Sequence, residues 1–240
     1  MSRIPQTAMV LAAGKGTRMR PLTDVTPKPL IRVAGKALID FALDRFASAG
    51  VERAVVNVHH FADQLEAHLQ GRSHPDVLIS DERDALLETG GGLMKARPLF
   101  GDDAIYCTNT DAILIDGDGP EPCARLADAW RPDAMDALLL LAPIARASGY
   151  DGRGDFDRTD DGRIALRAGD RAEFVFTGLQ ILSPALIDEG PGGAFSTRLL
   201  WDAASARGRL YGAVHSGDWL HVGDPAGLAA AEAVLADRAT

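Results

Sequence analysis

The sequence predicts an α/β fold in which helices flank a mostly parallel sheet. Two observations carry this prediction: short apolar runs end at glycine or polar residues, as buried strands do, and segments with apolar residues at helical spacing alternate with them. The first such unit has a strand at 7–13, a helix at 37–49 that Gly50 ends, and a strand at 54–58. Strands separated by helices in this way usually pair in parallel.

The alternation of predicted strands and helices continues to about residue 143, beyond which the pattern of apolar residues changes. Helices are predicted at about 62–69, 91–99 and 123–130, and strands at about 77–80, 104–108 and 137–143. Later runs are shorter and separated by glycine, which indicates a small antiparallel part with strands at 154–158, 163–167 and 173–182. The remaining predicted elements are a helix at 194–206, a strand at 210–214 and a helix at 225–236.

The composition favours small molecules as ligands. The formal net charge is −9, with acidic residues spread along the chain, which argues against a surface built for nucleic acid or anionic lipid. Cys107 and Cys123 lack the spacing of a metal site or a disulfide framework. The apolar run near the N-terminus is too short for a secretory core or a membrane span. We therefore expect a cytoplasmic protein without nucleic-acid or membrane partners, as a monomer or homodimer.

A glycine-rich loop follows the first predicted strand. The segment 11–23 reads LAAGKGTRMRPLT and places Gly14 and Gly16 where backbone amides can approach a phosphate. A GxG sequence after a strand also begins dinucleotide-binding folds, but here Met19 replaces their third glycine. Residues 33–40 also lack the expected acid at a strand end, so a dehydrogenase is disfavoured. A tight structural turn beside a solvated arginine is the other interpretation of this loop.

A lysine between two prolines lies just beyond the loop. In TPKPL, residues 26–30, the prolines restrict the backbone on either side of Lys28. A lysine held in this way can act as a preorganised point charge for phosphate.

Together, residues 11–30 read LAAGKGTRMRPLTDVTPKPL and resemble the sugar-1-phosphate nucleotidyltransferase family, whose pattern is LAAGxGxRxxPLTxxxPKPL. The resemblance implies a Rossmann-like, GT-A-like sheet and Mg²⁺-dependent transfer of a nucleoside monophosphate from an NTP to a sugar 1-phosphate. It implies a triphosphate contact for Arg18 and charge neutralisation for Lys28. The implied nucleotide-binding residues of this segment are Leu11, Ala12, Ala13, Gly14 and Gly16. We expect one domain over residues 1–240, with a nucleotide-binding half of about 1–143 and a sugar-binding half of about 144–240.

A second glycine-rich segment, LETGGG at 87–92, opens a predicted helix. In the family this region contacts the base and ribose, so the resemblance implies nucleotide contacts for Glu82, Thr89 and Gly90. LETGGG resembles the branch that joins UTP to N-acetylmuramate 1-phosphate in peptidoglycan recycling. Mannose-1-phosphate guanylyltransferases resemble it too, which leaves the base and the sugar open.

The predicted metal ligand is Asp111, which directly follows a buried strand in YCTNTDAIL. Ligands of open α/β sheets bind at that edge, and a carboxylate suits Mg²⁺. By resemblance Asp111 is the aspartate of the (N/G)xD motif, with Asn109 as a nucleotide-binding neighbour. The family usually has a second aspartate in W-(L/V/I)-D-x-G-T, where this chain reads DWLHVGDP and has His221. Imidazole is a weaker ligand for Mg²⁺ than carboxylate. A regulator that binds nucleotide sugars without catalysis is therefore the alternative from another class.

The sugar is expected to meet GRGDF and the strands that follow it. The glycines of this segment suit a close approach to a sugar, although a β-turn with surface charges has the same composition. By resemblance an arginine here meets the lactyl carboxylate or the phosphate. The predicted sugar-binding residues are Arg153, Gly154, Asp155, Glu173, Thr177 and Gly178.

Overall fold

The computed structural model describes residues 4–239. The strands are β1 Thr7–Leu11, β2 Arg32–Val33, β3 Lys36–Ala37, β4 Arg53–Val58, β5 Asp76–Asp81, β6 Ile105–Asn109, β7 Ala112–Leu114, β8 Ala137–Pro143, β9 Ala147–Ser148, β10 Phe156–Arg158, β11 Ile164–Leu166, β12 Phe174–Leu182, β13 Leu210–Val214 and β14 Trp219–His221. The helices are α1 Leu38–Ser48, α2 Ala62–Leu69, α3 Glu88–Ala96, α4 Pro122–Ala129, α5 Pro184–Asp188, α6 Arg198–Ala206 and α7 Pro225–Ala239. Within residues 4–239 no helix combines the length and the apolar character needed to cross a membrane.

A large sheet forms the centre of the molecule. The order β5-β4-β1-β6 is parallel throughout, as predicted, and β12 then pairs antiparallel with β6. Beyond β12 lies β8, antiparallel to it, and then β13, parallel to β8. The hairpin of β10 and β11 extends from the other edge of β12 at Phe156 and Phe174. The antiparallel part therefore continues the central sheet.

Side chains of the central strands alternate between two cores, one on each face of the sheet. Ala8 and Val10 of β1 pack in the core that contains Phe46 of α1. Met9 between them packs in the core that contains Leu93 of α3. The alternation follows from the two-residue period of a strand. Burial on both faces explains why these strands are almost continuously apolar.

A bulge in β12 interrupts its pairing with β8. Its register against β8 shifts between Phe176 and Gln180. Gly178 lies in this bulge with φ of 96°, a backbone conformation that favours glycine. The Thr177 hydroxyl donates to the Leu140 carbonyl at 2.9 Å. These features position the bulge beside Asn109, whose Cβ is 3.4 Å from the place a Gly178 Cβ would occupy.

The sequence did not predict a small sheet of β7, β14 and β9, whose strands have two or three residues each. Such short strands carry too little periodicity to be recognised. Two predicted helix starts also shift: α3 begins at Glu88, before the predicted 91, and α6 begins at Arg198, after the predicted 194. The second shift arises because the Phe195 carbonyl accepts the amides of Gly90 and Gly91, which holds its segment out of the helix.

Candidate active site

A cavity of about 470 Å³ opens where β1, β4 and β6 end. This is the carboxyl edge of the parallel strands, where open α/β sheets bind ligands. Its lining residues are Leu11, Ala12, Ala13, Gly14, Gly16, Thr17, Arg18, Lys28, Pro29, Asn57, Leu86, Glu88, Thr89, Asn109, Thr110, Asp111, Ser196 and Gly223. The structure therefore brings together most of the predicted nucleotide-binding residues and all three predicted catalytic residues.

The two glycines of the first loop have different surroundings. Gly16 has φ of 61°, and a Cβ there would lie 2.8 Å from the Cβ of Lys28. Its conformation and its contact with Lys28 both require glycine. A Cβ on Gly14 would meet no atom within 4 Å. Gly14 therefore exposes its backbone to the open cavity, where a ligand can approach it closely.

Lys28 forms an ion pair with Asp111 on the cavity wall, with its Nζ 3.0 Å from Asp111 Oδ2. The lysine lies on a short helical turn, Lys28–Leu30, that follows Pro27. The side chains keep only 12% and 24% of their accessible surface. Burial opposes ionisation of Asp111, but Lys28, His221 and Arg18 lower its pKa below the ordinary value of 3.8. The carboxylate is consequently charged at neutral pH and available to a cation.

His221 lies next to this ion pair. It ends β14, whose partner strand β7 begins directly after Asp111, and the Val222 amide donates to the Asp111 carbonyl at 2.8 Å. The Nδ1 atom of His221 is buried and has no hydrogen-bond partner among the described residues. Burial and the charges of Lys28 and Arg18 lower the pKa of His221, although Asp111 opposes that shift. The imidazole is therefore neutral at pH 7, the form that binds metal ions.

These donors fit a magnesium ion only together with a bound substrate. Within residues 4–239 no group of three or more histidine, cysteine or acidic side chains converges as a metal site would require. Mg²⁺ usually binds through one or two carboxylates and completes its coordination with phosphate oxygens and water. Asp111 supplies one carboxylate to the cavity wall. His221 does not line the cavity, but it lies near enough to Asp111 to lower the pKa of that carboxyl, and its Nδ1 is buried without a partner among the described residues. The residues present therefore fit a metal shared with a polyphosphate.

A buried chain of hydrogen bonds holds the start of the glycine loop. Asn57 Oδ1 accepts the Ala12 amide at 2.6 Å, and Asn57 Nδ2 donates to Glu82 Oε1 at 2.8 Å. Glu82 has no accessible surface, and burial raises its pKa above 4.5 despite the opposing hydrogen bond from Asn57. Because Asn57 uses both ends of its amide, its orientation is fixed. The chain connects β5 to the first residues of the loop.

The glycines of α3 serve close packing. A Cβ on Gly92 would lie 2.8 Å from both Asn57 Nδ2 and Glu82 Oε1, so a side chain there would displace the buried pair. A Cβ on Gly90 would collide with the Phe195 ring. The Gly90 and Gly91 amides both donate to the Phe195 carbonyl, at 2.8 and 3.1 Å. The helix start is therefore already hydrogen-bonded within the protein.

Two of the predicted nucleotide-binding residues lie away from the cavity wall. Glu82 and Gly90 do not line the cavity: Glu82 is fully buried behind Asn57, and Gly90 packs on Phe195. Thr89, the third residue predicted in this region, does lie on the wall, and its hydroxyl accepts the Thr197 amide at 2.9 Å. Of these three residues, Thr89 alone is placed to contact a ligand in the cavity as the structure stands.

The predicted sugar-binding residues divide between a second cavity and the protein interior. Gly154 and Asp155 line a separate cavity of about 350 Å³. Arg153 and Glu173 are exposed and line neither cavity. Thr177 and Gly178 are buried in the bulge of β12, where the Thr177 hydroxyl is committed to Leu140. The Thr177 hydroxyl is therefore not free to contact a sugar, and the sugar-binding roles of these residues stay predictions.

Sequence reasoning missed several wall residues, namely Thr17, Pro29, Asn57, Leu86, Glu88, Thr110 and Gly223. For Asn57 a signal was present, since a polar residue inside the apolar strand RAVVNV needs a buried partner. Glu88 has φ of 59°, unusual for a residue other than glycine, and no sequence pattern indicates it. Ser196 comes from a segment more than a hundred residues away from Thr89, and only the fold brings the two together.

Comparisons with known proteins identify the family of this chain. Residues 7–165 match the family described as Nucleotidyl transferase. The chain is 48% identical to an N-acetylmuramate alpha-1-phosphate uridylyltransferase of Caulobacter vibrioides, over 99% of this chain and 100% of the relative. A protein of the same name from Neisseria meningitidis serogroup B is 34% identical, over 95% of this chain and 97% of the relative. A mannose-1-phosphate guanylyltransferase subunit of Drosophila pseudoobscura pseudoobscura is 25% identical, over 91% of this chain and 59% of the relative.

The fold is also that of solved nucleotidyltransferases. A UDP-glucose pyrophosphorylase complexed with UDP-glucose superposes with a TM-score of 0.79 at 16% identity, over 97% of this chain and 99% of that one. The predicted GT-A-like sheet is confirmed by this match. Nucleotidyltransferases of this family generally use a divalent metal. The chain therefore belongs to the nucleotidyl transferase family, whose members transfer a nucleotide to a sugar 1-phosphate, and it is an enzyme of that kind.

Proposed function

We propose that this enzyme transfers UMP from UTP to N-acetylmuramate 1-phosphate, releasing pyrophosphate, and that it does so with Mg²⁺ in peptidoglycan recycling. The observation that carries the proposal is the 48% identity with a uridylyltransferase of that substrate over 99% of the chain. The site supports it, because Arg18, Lys28 and Asp111 share one cavity wall.

The reaction needs alignment and charge neutralisation, with no covalent intermediate on the protein. A phosphate oxygen of the sugar 1-phosphate attacks the α-phosphorus of UTP. The bond from that phosphorus to the bridging oxygen breaks, and pyrophosphate leaves with the electron pair. Lys28 places a positive charge beside the reacting phosphates, and Arg18, exposed on the same wall, neutralises the triphosphate. A bound Mg²⁺, held by Asp111 with His221, would neutralise further charge on the phosphate oxygens.

The glycine loop prepares the binding of the triphosphate. Gly14 leaves its backbone open to the cavity, and the Ala12 amide is fixed by Asn57. A loop that is ordered before the substrate arrives loses little conformational entropy on binding. This arrangement favours an enzyme over the catalytically weak regulator, because a binder needs no lysine paired to the acid at the reacting phosphates.

The experiment is a grid of pyrophosphate release with purified protein and Mg²⁺. It crosses UTP, GTP, CTP, dTTP and ATP with the 1-phosphates of N-acetylmuramate, N-acetylglucosamine, glucose and mannose. We expect UTP with N-acetylmuramate 1-phosphate to give the highest kcat/KM. Preference for GTP with mannose 1-phosphate would establish the runner-up, mannose-1-phosphate guanylyltransferase. No turnover in the whole grid, by folded protein that binds nucleotide, would favour the regulator.

A further inference from the structure

The turn between β4 and α2 contains two adjacent histidines, His59 and His60. Neither of them lines the active-site cavity, and both are half-buried. The turn ends at Phe61, whose φ of 51° is unusual for a residue other than glycine. The turn and α2 contact two segments that do line the cavity, so they can affect a ligand there without touching it.

The first contact is with the 82–89 segment, which follows β5 and contributes part of the cavity wall. Glu82 begins this segment, and its amide donates to the Val58 carbonyl at 2.8 Å. The Glu82 carbonyl accepts from His59 Nδ1, at 2.7 Å. Because a carbonyl oxygen only accepts, the hydrogen lies on Nδ1 of the imidazole. The segment is therefore held to the end of β4 at the residue where it begins, and it reaches the cavity with Leu86, Glu88 and Thr89.

The next residue, Arg83, holds the same segment to α2 by ion pairs. Its guanidinium lies 2.6 Å from a carboxylate oxygen of Asp63 and 2.8 Å from one of Glu66. Both pairs are exposed, and water and salt weaken pairs of this kind. The half-buried hydrogen bond of His59 is less open to solvent competition. His59 is therefore the firmer of the two anchors.

The second contact is with the glycine-rich loop and the turn that follows it. Gln64 of α2 donates to the Val25 carbonyl at 3.1 Å, and His60 Nε2 lies 3.5 Å from the Thr23 carbonyl. The Thr23 hydroxyl in turn donates to the carbonyl of Gly16, which lines the cavity, at 2.9 Å. The turn and α2 therefore support the glycine-rich loop and the 82–89 segment together.

Charge separates the parts of the cavity wall that these two segments form. Arg18 and Lys28 belong to the glycine-rich loop and the turn after it. The 82–89 segment contributes no lysine or arginine to the wall, and it adds the exposed carboxylate of Glu88. A triphosphate is attracted to the cations and repelled by the carboxylate. The 82–89 segment consequently faces the uncharged nucleoside end of a bound nucleotide.

We propose that His59 is a positioning residue for the nucleoside end of the substrate: it holds the 82–89 segment at the distance from the glycine-rich loop that a nucleoside triphosphate spans. The inference rests on the proposed function for the choice of UTP as the nucleotide. The hydrogen bond to the Glu82 carbonyl is the contact through which His59 acts. The cations that meet the phosphates do not depend on it.

The test compares His59→Ala with His59→Asn, whose side-chain amide can donate from about the position of Nδ1. His68→Ala is the matched control, because His68 is also half-buried and its Nε2 lies 3.0 Å from a carboxylate oxygen of Asp40. It lies at the other end of α2 and does not line the cavity. His59→Leu keeps much of the bulk of the ring without the donor, and it replaces His59→Ala should that variant not fold.

Calorimetric titration with Mg²⁺ measures the affinity of each variant for UTP and for inorganic tripolyphosphate, which lacks the nucleoside. His59→Ala should raise Kd and KM for UTP about 10-fold, since one hydrogen bond that orders the wall is lost. Its Kd for tripolyphosphate, its KM for the sugar 1-phosphate and its kcat should stay within about 2-fold. His59→Asn should recover most of the affinity for UTP. His68→Ala should match the wild type for both ligands.

Four results would overturn the proposal. His59→Ala would bind UTP and tripolyphosphate equally weakly, or it would bind both as the wild type does. His59→Asn would be as weak as His59→Ala, or His68→Ala would show the same selective loss. Failure of the proposed function is distinct, because wild type would then show no turnover with UTP. The nucleoside triphosphate that wild type binds most tightly then takes the place of UTP, and the same comparison with tripolyphosphate decides the role of His59.

Discussion

Lys28 Nζ and Asp111 Oδ2 lie 3.0 Å apart although 83 residues separate them in the sequence. Each side chain is fixed by local structure: Lys28 follows Pro27 on a helical turn and packs on Gly16, and Asp111 lies in the two-residue connection between β6 and β7. The pair therefore exists before substrate binds. A preformed charge arrangement costs no reorganisation at the moment of reaction, which is the main way such sites accelerate phosphoryl chemistry.

The first prediction concerns this pair. Asp111→Asn should lower kcat by at least about 100-fold, because it removes the charge that the scheme gives to the metal and to Lys28. The melting temperature should change little, since the side chain keeps 24% of its surface and asparagine has the same shape. Pyrophosphate release and thermal unfolding measure the two effects. Asp133→Asn, at an exposed site, is the matched control, and a near-normal rate in Asp111→Asn would remove this residue from the mechanism.

The second prediction concerns the packing under the glycine loop. Gly92→Ala should destabilise the protein by about 1–3 kcal/mol, because its Cβ would lie 2.8 Å from both Asn57 Nδ2 and Glu82 Oε1. Asn57 would then move away from the Ala12 amide, and KM for the nucleotide should rise. Chemical denaturation and initial rates measure these two changes.

Gly169→Ala is the control for this substitution. A Cβ at Gly169 would meet no atom within 4 Å, and its φ lies outside the left-handed region. The change should leave stability the same or slightly higher, because alanine reduces the entropy of the unfolded chain. If both variants lost equal stability, the contact of Gly92 with the buried pair would not be the cause.

The third prediction follows from the raised pKa of Glu82. Burial disfavours the charged carboxylate, so the folded chain holds the proton to a higher pH than the unfolded chain does. The stability that Glu82 contributes is thus fully present below about 4.5 and is lost as pH rises through its folded-state pKa. Glu82→Gln does not titrate. Its free energy of unfolding relative to wild type should therefore rise as pH increases from 4 towards neutrality, and a pH-independent difference would contradict this account.

The sequence predicts those parts of the fold and site whose determining residues lie close together in the chain. Short local patterns predict the parallel sheet and three residues of the cavity wall. Arg18 and Lys28 belong to one segment of twenty residues, and Asp111 is indicated by the end of a single strand. Asn57 has a local signal too, but its meaning depends on Glu82 and Ala12, which reach it only in the folded sheet.

The antiparallel half shows the limit of such reasoning. The GRGDF segment indicated Arg153, whereas the cavity beside that segment contains Arg198 from the start of α6 and Arg167 from the loop after β11. Thr177 and Gly178 look suited to a ligand, yet both lie in the bulge of β12, where the Thr177 hydroxyl donates to Leu140 of β8. Glycines and polar side chains serve tight packing and ligand contact equally well, and the sequence does not distinguish the two uses.

The last prediction concerns His221, where the family usually has aspartate. If the imidazole is the weaker partner of a magnesium ion, His221→Asp should keep or raise the magnesium-supported rate and lower the Mg²⁺ concentration needed for half-maximal rate. The ratio of the rate with Mn²⁺ to the rate with Mg²⁺ should be higher for wild type than for His221→Asp, because imidazole suits softer cations. Titration of both metals into protein with UTP, followed by calorimetry as well as by rate, checks this. Collapse of activity in His221→Asp with unchanged metal affinity would show that the imidazole acts on the substrate and leaves metal binding to Asp111 and the phosphates.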